Sequence, residues 1–269
     1  MKKSSHKKAG IIDYIIMAVL LAAVIGIIAF PASDRNFFEN LADSFVKNFI
    51  LENRWTMIMQ GVGTTCMITV LAGLFGTILA FLICLLCRTG SALANRIFDI
   101  FVRLMQGTPI VIILMILYYV ILGRFGMNAV WAAVIGFTLH VGAYGSEIMR
   151  SAIDGIDRGQ REAALALGFS ERQAFFRFVF PEAAVHFLPV YRGELISLLK
   201  GTAIAGYISV QDLTKMSDLI QSRTSAAFFP LLAAALIYFL LEWLISQFIK
   251  LLLVRLDRKA AKRSKGKVR

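Results

Sequence analysis

Polar and charged side chains interrupt one otherwise apolar run, residues 184–208. Five of them share this run: Arg192, Glu194, Ser197, Lys200 and Thr202. Charged groups at the depth of a bilayer core are costly, so they usually face a cavity or one another. At about 100° per residue, Glu194, Ser197, Gly201 and Ala205 fall on one narrow helical face. That face is small and polar, as the path of a polar solute would require.

Two of these side chains do not share the environment of Glu194 on such a helix. Arg192 points nearly opposite Glu194, and Lys200 projects between the two. The alternative to a place in the path is that each extends its charge to a membrane surface, Arg192 to the cytoplasmic one and Lys200 to the outer one. The pattern favours neither alternative.

Histidine and cysteine spacing indicates no metal site and no pair of nucleophile and base. The sequence has three histidines, and His140 within an apolar run is more typical of a hydrogen bond between helices than of a functional site. Cys84 and Cys87 have C-x-x-C spacing, but a thiol in an apolar run behaves as a small hydrophobe, and a redox site stays the alternative. An enzyme embedded in the membrane would require a cluster of titratable groups at one depth. The sequence also lacks G-x-x-x-x-G-K-[ST] and H-E-x-x-H, so no cofactor of its own is expected.

A hydrophilic loop, residues 151–183, contains the motif EAALALGFS and predicts two short helices joined by a tight turn. Two pairs of residues have the spacing of a capping box, Asp157 with Gln160 and Ser170 with Gln173. A helix of about ten residues is marginal alone in water, so the first helix must dock on a surface. Four phenylalanines in the second helix could anchor a partner or pack under the ends of the protein's own helices. Pro181 is expected to end that second helix.

The turn itself is predicted from Gly168 and Phe169. Gly168 supplies the left-handed conformation that ends the first helix, and Phe169 is placed to fold back on its last turn. Small side chains at Ala163 and Ala164 would permit close approach of another surface. Glu162 lies near the start of the helix, where a negative charge suits the helix dipole.

Composition identifies an integral membrane protein. Of 269 residues, 58% are hydrophobic, which exceeds the apolar content of an ordinary soluble domain. Spanning a bilayer takes about 20 apolar helical residues. Six runs meet that length approximately: 11–30, 57–87, 104–122, 127–149, 184–208 and 226–249. A cleaved signal peptide is the alternative for the first run.

The placement of Lys and Arg predicts the orientation. Four lysines precede the first run, three arginines lie between runs two and three, five lie between runs four and five, and nine follow from Lys250 onward. Basic residues concentrate on the cytoplasmic side, so both termini and the EAALALGFS loop are expected in the cytoplasm. The net charge of +12 then indicates contact with anionic membrane lipid and not with nucleic acid.

Several motifs together resemble one family of transport proteins. EAALALG followed by FPEA is similar to the EAA loop of permeases in ATP-binding-cassette importers. GAYGSEIMR, GQREAALALG and LPVYRGELISLLKGT resemble more closely the permeases of polar amino acid importers, the histidine/glutamate/glutamine/arginine class. QGTP, GVGTT and ALIYFLL extend the match over residues 57–253.

The resemblance implies an all-α integral membrane protein of six transmembrane helices, a MetI-like importer permease core with one extra N-terminal helix. It divides the chain into 1–56 (tail, extra helix and extracytoplasmic segment), 57–253 (permease domain) and 254–269 (basic cytoplasmic tail). In that family the EAA loop docks on a separate cytoplasmic ATPase, which binds ATP and Mg²⁺. Five matched residues are therefore assigned to coupling: Glu162, Ala163, Ala164, Gly168 and Phe169.

The implied partners are an ATPase dimer, a second permease subunit of the same or a related kind, and an extracytoplasmic binding protein that delivers an amino acid. The implied location is the membrane of a bacterial cell. Permeases of the class commonly read G-N-E where this sequence has R-G-E at 192–194, and K-D-T-S where it has K-G-T-A at 200–203. An acid is lost and a base is gained, so the expected substrate is not a simple cationic amino acid. The alternative is a carrier driven by an ion gradient, but neither internal repeats nor matching broken helices are present.

Overall fold

The computed structural model describes residues 42–88 and 90–265, with side chains through residue 256. The first predicted span, 11–30, lies outside the described residues. The chain divides into two units, Met1–Glu52 and Asn53–Arg269. In the first unit, the described residues include a helical turn, Val46–Ile50, in which Asn48 Nδ2 donates to the Ser44 carbonyl at 2.7 Å.

The described part of the second unit is helical and contains no strand. Its helices, in chain order, are α1 (Trp55–Cys87), α2 (Ala92–Gly107), α3 (Ile110–Met115), α4 (Ala129–Asp154), α5 (Arg158–Ala166), α6 (Glu171–Ala174), α7 (Phe180–Gly201), α8 (Leu213–Thr224) and α9 (Phe228–Lys265). Wider π-type turns extend α3 over Ile116–Leu122 and α6 over Phe175–Val179, and 3-10 turns follow at Gly123–Phe125 and Thr202–Ile208. The predicted all-helical fold is confirmed.

Among the described residues, three helices are long and apolar enough to cross a membrane: α1, α4 and the part of α9 up to Leu256. They correspond to the second, fourth and sixth predicted spans. The third predicted span, 104–122, includes the end of α2 and continues into α3, and the chain bends by 106° between these two helices. Thr108 adopts an extended conformation there, as expected for the residue that precedes Pro109.

The fifth predicted span is helical in its first part, as α7, and continues as the 3-10 turn Thr202–Ile208. Arg192, Glu194 and Lys200 give α7 too many charges to count as an apolar span on composition alone. The total of six spans therefore stays a prediction, whereas the helical fold of the described residues is confirmed.

Close helix contact at small residues holds the second unit together. α1 packs most extensively on α4, and α7 packs on both α4 and α9. A Cβ atom at Gly76 would lie 2.6 Å from Val141 Cβ, and one at Gly142 would lie 2.6 Å from the Leu79 side chain. Small residues of this kind let helix backbones approach closely within a membrane. The core between these helices includes Ile68, Phe137, Val141 and Leu198.

Candidate functional site

The first half of the candidate site is the hydrophilic segment 157–174, which contains α5 and α6. Asp157 caps α5, because its Oδ1 accepts from the Gly159 backbone N–H at 2.9 Å. The predicted return bond from Gln160 to this cap is wrong. Gln160 Nε2 donates instead to Glu182 Oε2 at 2.6 Å, which joins α5 to the first turn of α7.

The turn after α5 is formed as the sequence predicts. Gly168 has φ +81°, the left-handed conformation that a side chain disfavours. The Gly168 N–H donates to the Leu165 carbonyl at 2.9 Å, and the Phe169 N–H donates to the Ala164 carbonyl at 3.2 Å. These two bonds are those of a Schellman motif, which satisfies the last carbonyls of a helix.

The other predicted capping box, formed by Ser170 and Gln173, begins α6 and is confirmed. Ser170 Oγ accepts from the Gln173 N–H at 3.3 Å, and Gln173 Oε1 accepts from the Ser170 N–H at 3.0 Å. Arg161 Nε donates to Glu171 Oε2 at 3.0 Å, and Arg161 Nη2 contacts the other carboxylate oxygen. The caps and this bidentate pair join α5 and α6 into one unit.

The phenylalanines after α6 pack mainly within the chain. Phe175 is buried, and the Arg88 guanidinium lies 4.2 Å from its ring centroid. Phe81 and Phe180 form an edge-to-face pair at 5.2 Å in the same cluster. The alternative of packing under the protein's own helix ends is confirmed for Phe175.

Pro181 does not stop the helix, contrary to expectation. It lies in the first turn of α7, and the chain remains helical from α6 through Phe175–Val179 into α7. Proline lacks the N–H that a regular α-helix would use at this point, and the wide π-type turns of Phe175–Val179 replace the regular α-helical hydrogen bonds just before it. The second helix of segment 157–174, α6, is therefore the beginning of a continuous helical path into α7.

The five predicted coupling residues do not share one environment. Glu162, Ala163 and Gly168 are exposed, and Phe169 is half-buried with its ring 5.2 Å from that of Phe178. Ala164 is only 4% exposed, so it packs inside this chain and cannot offer its side chain to a partner. Their assignment to coupling stays a prediction.

The second half of the candidate site lies where α4 and α7 meet. His140 Nδ1 lies 3.5 Å from Glu194 Oε1, with side chains 22% and 11% exposed respectively. Glu194 Oε1 has no hydrogen-bond partner among the described residues, although His140 Nδ1 lies near it. The sequence predicts a helix-to-helix role for His140, but nothing in its spacing pairs it with Glu194.

The other predicted path residues, in α7 and just after it, differ in burial more than the helical spacing predicts. Arg192, Ser197 and Lys200 are exposed. Gly201 ends α7, and a Cβ there would lie 3.3 Å from the Phe137 ring. Thr202 is fully buried, and its hydroxyl donates to the Leu199 carbonyl at 2.8 Å, so it is closed to a solute in this conformation.

Ala205 does not continue the face of Glu194, Ser197 and Gly201. It is fully buried and lies in the 3-10 turn Thr202–Ile208, so the 100° spacing no longer applies to it. The predicted narrow face therefore ends with α7.

Two polar contacts that the sequence does not predict connect α2 with α4. Arg150 Nη1 donates to Asp99 Oδ1 at 3.2 Å, and Gln106 Nε2 donates to Glu147 Oε2. Beside them lies a polar cavity of about 440 Å³, which Arg103 also lines. Gln106 belongs to the QGTP motif and Glu147 to GAYGSEIMR. The polar residues in these two motifs were the sequence feature that could have indicated the contact.

Comparison with known proteins identifies the family. Residues 72–259 match the profile of the binding-protein-dependent transport system inner membrane component. The chain belongs to this family. It is a permease, a membrane-embedded transport subunit and not an enzyme, and the subunits with which such permeases work are an ATPase and a binding protein. The alternative predicted from the sequence, a carrier driven by an ion gradient, is therefore wrong.

Individual relatives of the permease cover most of its length. It is 34% identical over 192 residues to the putative glutamine transport system permease protein GlnP of Rickettsia bellii, covering 70% of this chain and 88% of the relative. It is 32% identical over 218 residues to the L-cystine transport system permease protein TcyB of Bacillus subtilis, covering 80% and 93%. A crystal structure of an amino acid ABC transporter with histidines superposes with a TM-score of 0.67 at 31% identity, covering 77% of this chain and 98% of that chain.

Proposed function

We propose that this permease imports a polar amino acid into a bacterial cell, driven by a separate cytoplasmic ATPase that docks on segment 157–174. One observation carries the coupling part of this proposal. The Gln160 to Glu182 hydrogen bond ties α5 to the helix that carries Glu194, and the chain is helical without a break from α6 to α7. A displacement of α5 would therefore be transmitted to the residues near Glu194.

The exposed side of this segment supports the docking role. Glu162, Ala163 and Gly168 are exposed, and Leu167 is 67% exposed although it is apolar. A small apolar patch on a short, internally fixed helix fits a groove on a partner better than it fits water. ATP and Mg²⁺ belong to the ATPase dimer in this proposal, because the permease has no phosphate-binding motif.

The assembly follows from the orientation that the basic residues favour. Both termini and segment 157–174 lie in the cytoplasm, and an extracytoplasmic binding protein delivers the solute from the other side. A second permease subunit, identical or related, completes the pathway. The exposed positions of Arg192, Ser197 and Lys200 leave a polar side of α7 for it to cover.

The solute class is inferred from Glu194 and from the names of the relatives. A largely buried carboxylate, one oxygen of which has no hydrogen-bond partner, suits the ammonium group of an amino acid. Two relatives are named for glutamine and L-cystine, whose side chains carry no net positive charge, and another is named for arginine. Uptake competition tests this: neutral amino acids should compete best, and dominance of arginine or lysine would contradict the inference.

Co-purification of the co-expressed ATPase with the permease tests the coupling role. Gly168→Asp and Glu162→Lys should each release the ATPase from permease that is correctly inserted in the membrane. Ser222→Lys is a matched control, because Ser222 is exposed on α8, far along the chain from segment 157–174. Retention of the ATPase by both variants would show that it docks elsewhere.

A further inference from the structure

An acid and a base face each other within the membrane-spanning part of this permease. Glu194 lies on α7 and His140 lies in the middle of α4, and both side chains are largely withdrawn from the surface. Ionisable side chains at such depth usually serve a solute path, or they pair to avoid the cost of isolation. His140 Nδ1 and Glu194 Oε1 are 3.5 Å apart, and Oε1 forms no hydrogen bond with any described residue.

No other described side chain forms a hydrogen bond or an ion pair with Glu194. Tyr191 lies one turn earlier on α7, but its hydroxyl is engaged with Thr77 Oγ1 at 2.6 Å. Arg192 and Lys200 are exposed, and within the described chain His140 is the sole ion-pair partner of Glu194. An unsatisfied buried carboxylate oxygen destabilises the protein unless a ligand or water supplies the donor.

The imidazole of His140 is held in place by its own helix. It stacks on the Tyr144 ring with centroids 4.5 Å apart and an interplanar angle of 23°. Stacking fixes the ring plane, so its N–H groups keep a fixed direction beside Glu194. A ring N–H of histidine donates a hydrogen bond, which suits a carboxylate oxygen as the acceptor.

We propose that His140 is a specificity-determining residue of the path, which binds the α-carboxylate of the amino acid while Glu194 binds its α-ammonium group. The two charges of an α-amino acid are separated by one carbon, so a donor and an acceptor this close can bind both. The pair then recognises the zwitterionic head group and is indifferent to the side chain. This inference rests on the proposed function and names the part of the solute that is recognised.

Ligands with an altered carboxylate provide the test. The purified complex of permease and ATPase, without binding protein, is titrated with the twenty common amino acids and L-cystine. The tightest ligand is then compared with its methyl ester, which keeps the ammonium group and lacks the carboxylate. The native complex should bind the amino acid about 10- to 100-fold more tightly than the ester, since a hydrogen bond between charged groups is lost.

Variants separate recognition from structural support. His140→Ala should lower the affinity for the amino acid about 10- to 100-fold and leave the affinity for the ester nearly unchanged. Glu194→Gln should weaken both ligands, and His140→Gln, which keeps a donor, should restore part of the preference. His186→Ala is the control, because His186 is exposed near the start of α7 and should change neither affinity.

Three results would overturn the inference. Equal losses for amino acid and ester in His140→Ala and His140→Gln would mean that His140 only ties α4 to α7. An unchanged preference would mean that the carboxylate binds elsewhere. Absence of binding by a native complex that still transports amino acids with its binding protein would refute this subsite alone, whereas absence of amino acid transport would refute the proposed function.

Discussion

At the scale of single residues, the turn at Gly168 depends on a backbone conformation that glycine adopts without strain. Its φ is +81°, and a Cβ placed there would meet nothing within 4 Å. A side chain at Gly168 therefore costs backbone strain and no steric clash, about 1–2 kcal/mol for an ordinary L-residue. Relief of this strain would change the angle between α5 and α6.

A pair of substitutions at Gly168 isolates this effect. Gly168→Ala should weaken capture of the ATPase, whereas Gly168→Asn should retain more of it, because asparagine tolerates the left-handed conformation better. Capture is measured by co-purification from equal amounts of inserted permease. Equal capture by the alanine and asparagine variants would show that the turn conformation does not matter for docking.

Arg88 is a second residue with a measurable contact. Its guanidinium lies 4.2 Å from the Phe175 ring centroid, at the cytoplasmic end of α1 in the predicted orientation. Arg88→Gln should lower stability by about 0.5–1 kcal/mol, the usual range for an exposed cation-π contact, and Arg88→Lys should lower it less. Thermal unfolding in detergent, with Phe175→Leu and the double variant, gives the coupling energy. A coupling energy of zero would contradict the contact.

At the scale of elements, the pairing of α1 with α4 depends on glycine at one position and tolerates change at another. A Cβ at Gly76 would lie 2.6 Å from Val141 Cβ, whereas a Cβ at Gly63 in the same helix would meet nothing within 4 Å. Gly76→Ala should therefore lower the melting temperature by pushing α4 away. Gly63→Ala should leave the melting temperature unchanged or raise it, because alanine favours a helix over glycine by up to about 1 kcal/mol. Similar effects at both positions would contradict this helix interface.

Asp212 begins α8 and connects it to α9. Its Oδ1 accepts from the Lys215 N–H at 3.1 Å, and its Oδ2 accepts from the Thr214 N–H at 3.0 Å and from the Tyr238 hydroxyl at 3.2 Å. Burial raises the pKa of the Asp212 carboxyl above its ordinary value of 3.8, although these hydrogen bonds oppose the rise. Folding therefore favours the protonated form of Asp212.

The raised pKa predicts a pH dependence of stability. Asp212 contributes most at low pH, and its contribution declines as the pH rises from about 4, the ordinary value, through the raised pKa. Asp212→Asn keeps a good helix cap but has no ionisable group. As the pH rises through this range, the melting temperature of the variant should therefore increase relative to that of the native permease. A constant difference between pH 4 and 7 would show that folding does not raise the pKa of Asp212.

At the scale of the whole molecule, the orientation in the membrane is open to a direct measurement. Leu167 is 67% exposed in segment 157–174, and Phe125 is 82% exposed in the turn before α4. Single cysteines at these two positions, with Cys66, Cys84 and Cys87 replaced by alanine, report opposite faces of the membrane. An impermeant maleimide should label Phe125→Cys in intact spheroplasts and Leu167→Cys only in inverted vesicles. The reverse pattern would refute the cytoplasmic location of the ATPase site.

Local features of the whole chain were predictable because they depend on neighbours in sequence. The caps at Asp157 and Ser170 and the left-handed Gly168 require only a few adjacent residues, and all three are confirmed. The apolar runs α1 and α4 follow from composition, since length and hydropathy alone identify a helix that can span a bilayer. Pro181 was misjudged because a proline ends a helix or begins one, and only the preceding turns decide which.

Contacts between distant residues were decided by the tertiary structure alone. Gln160 could have capped α5, but Glu182 comes within 2.6 Å through the fold and takes its hydrogen bond. His140 and Glu194 are 54 positions apart in the sequence and meet because glycines allow α4 to pack closely. Sequence patterns record which side chains a helix can present, and the packing of helices determines which of them meet. The sequence by itself therefore determined the family, the helices and the turn at Gly168, and the fold decided which buried charge faces which.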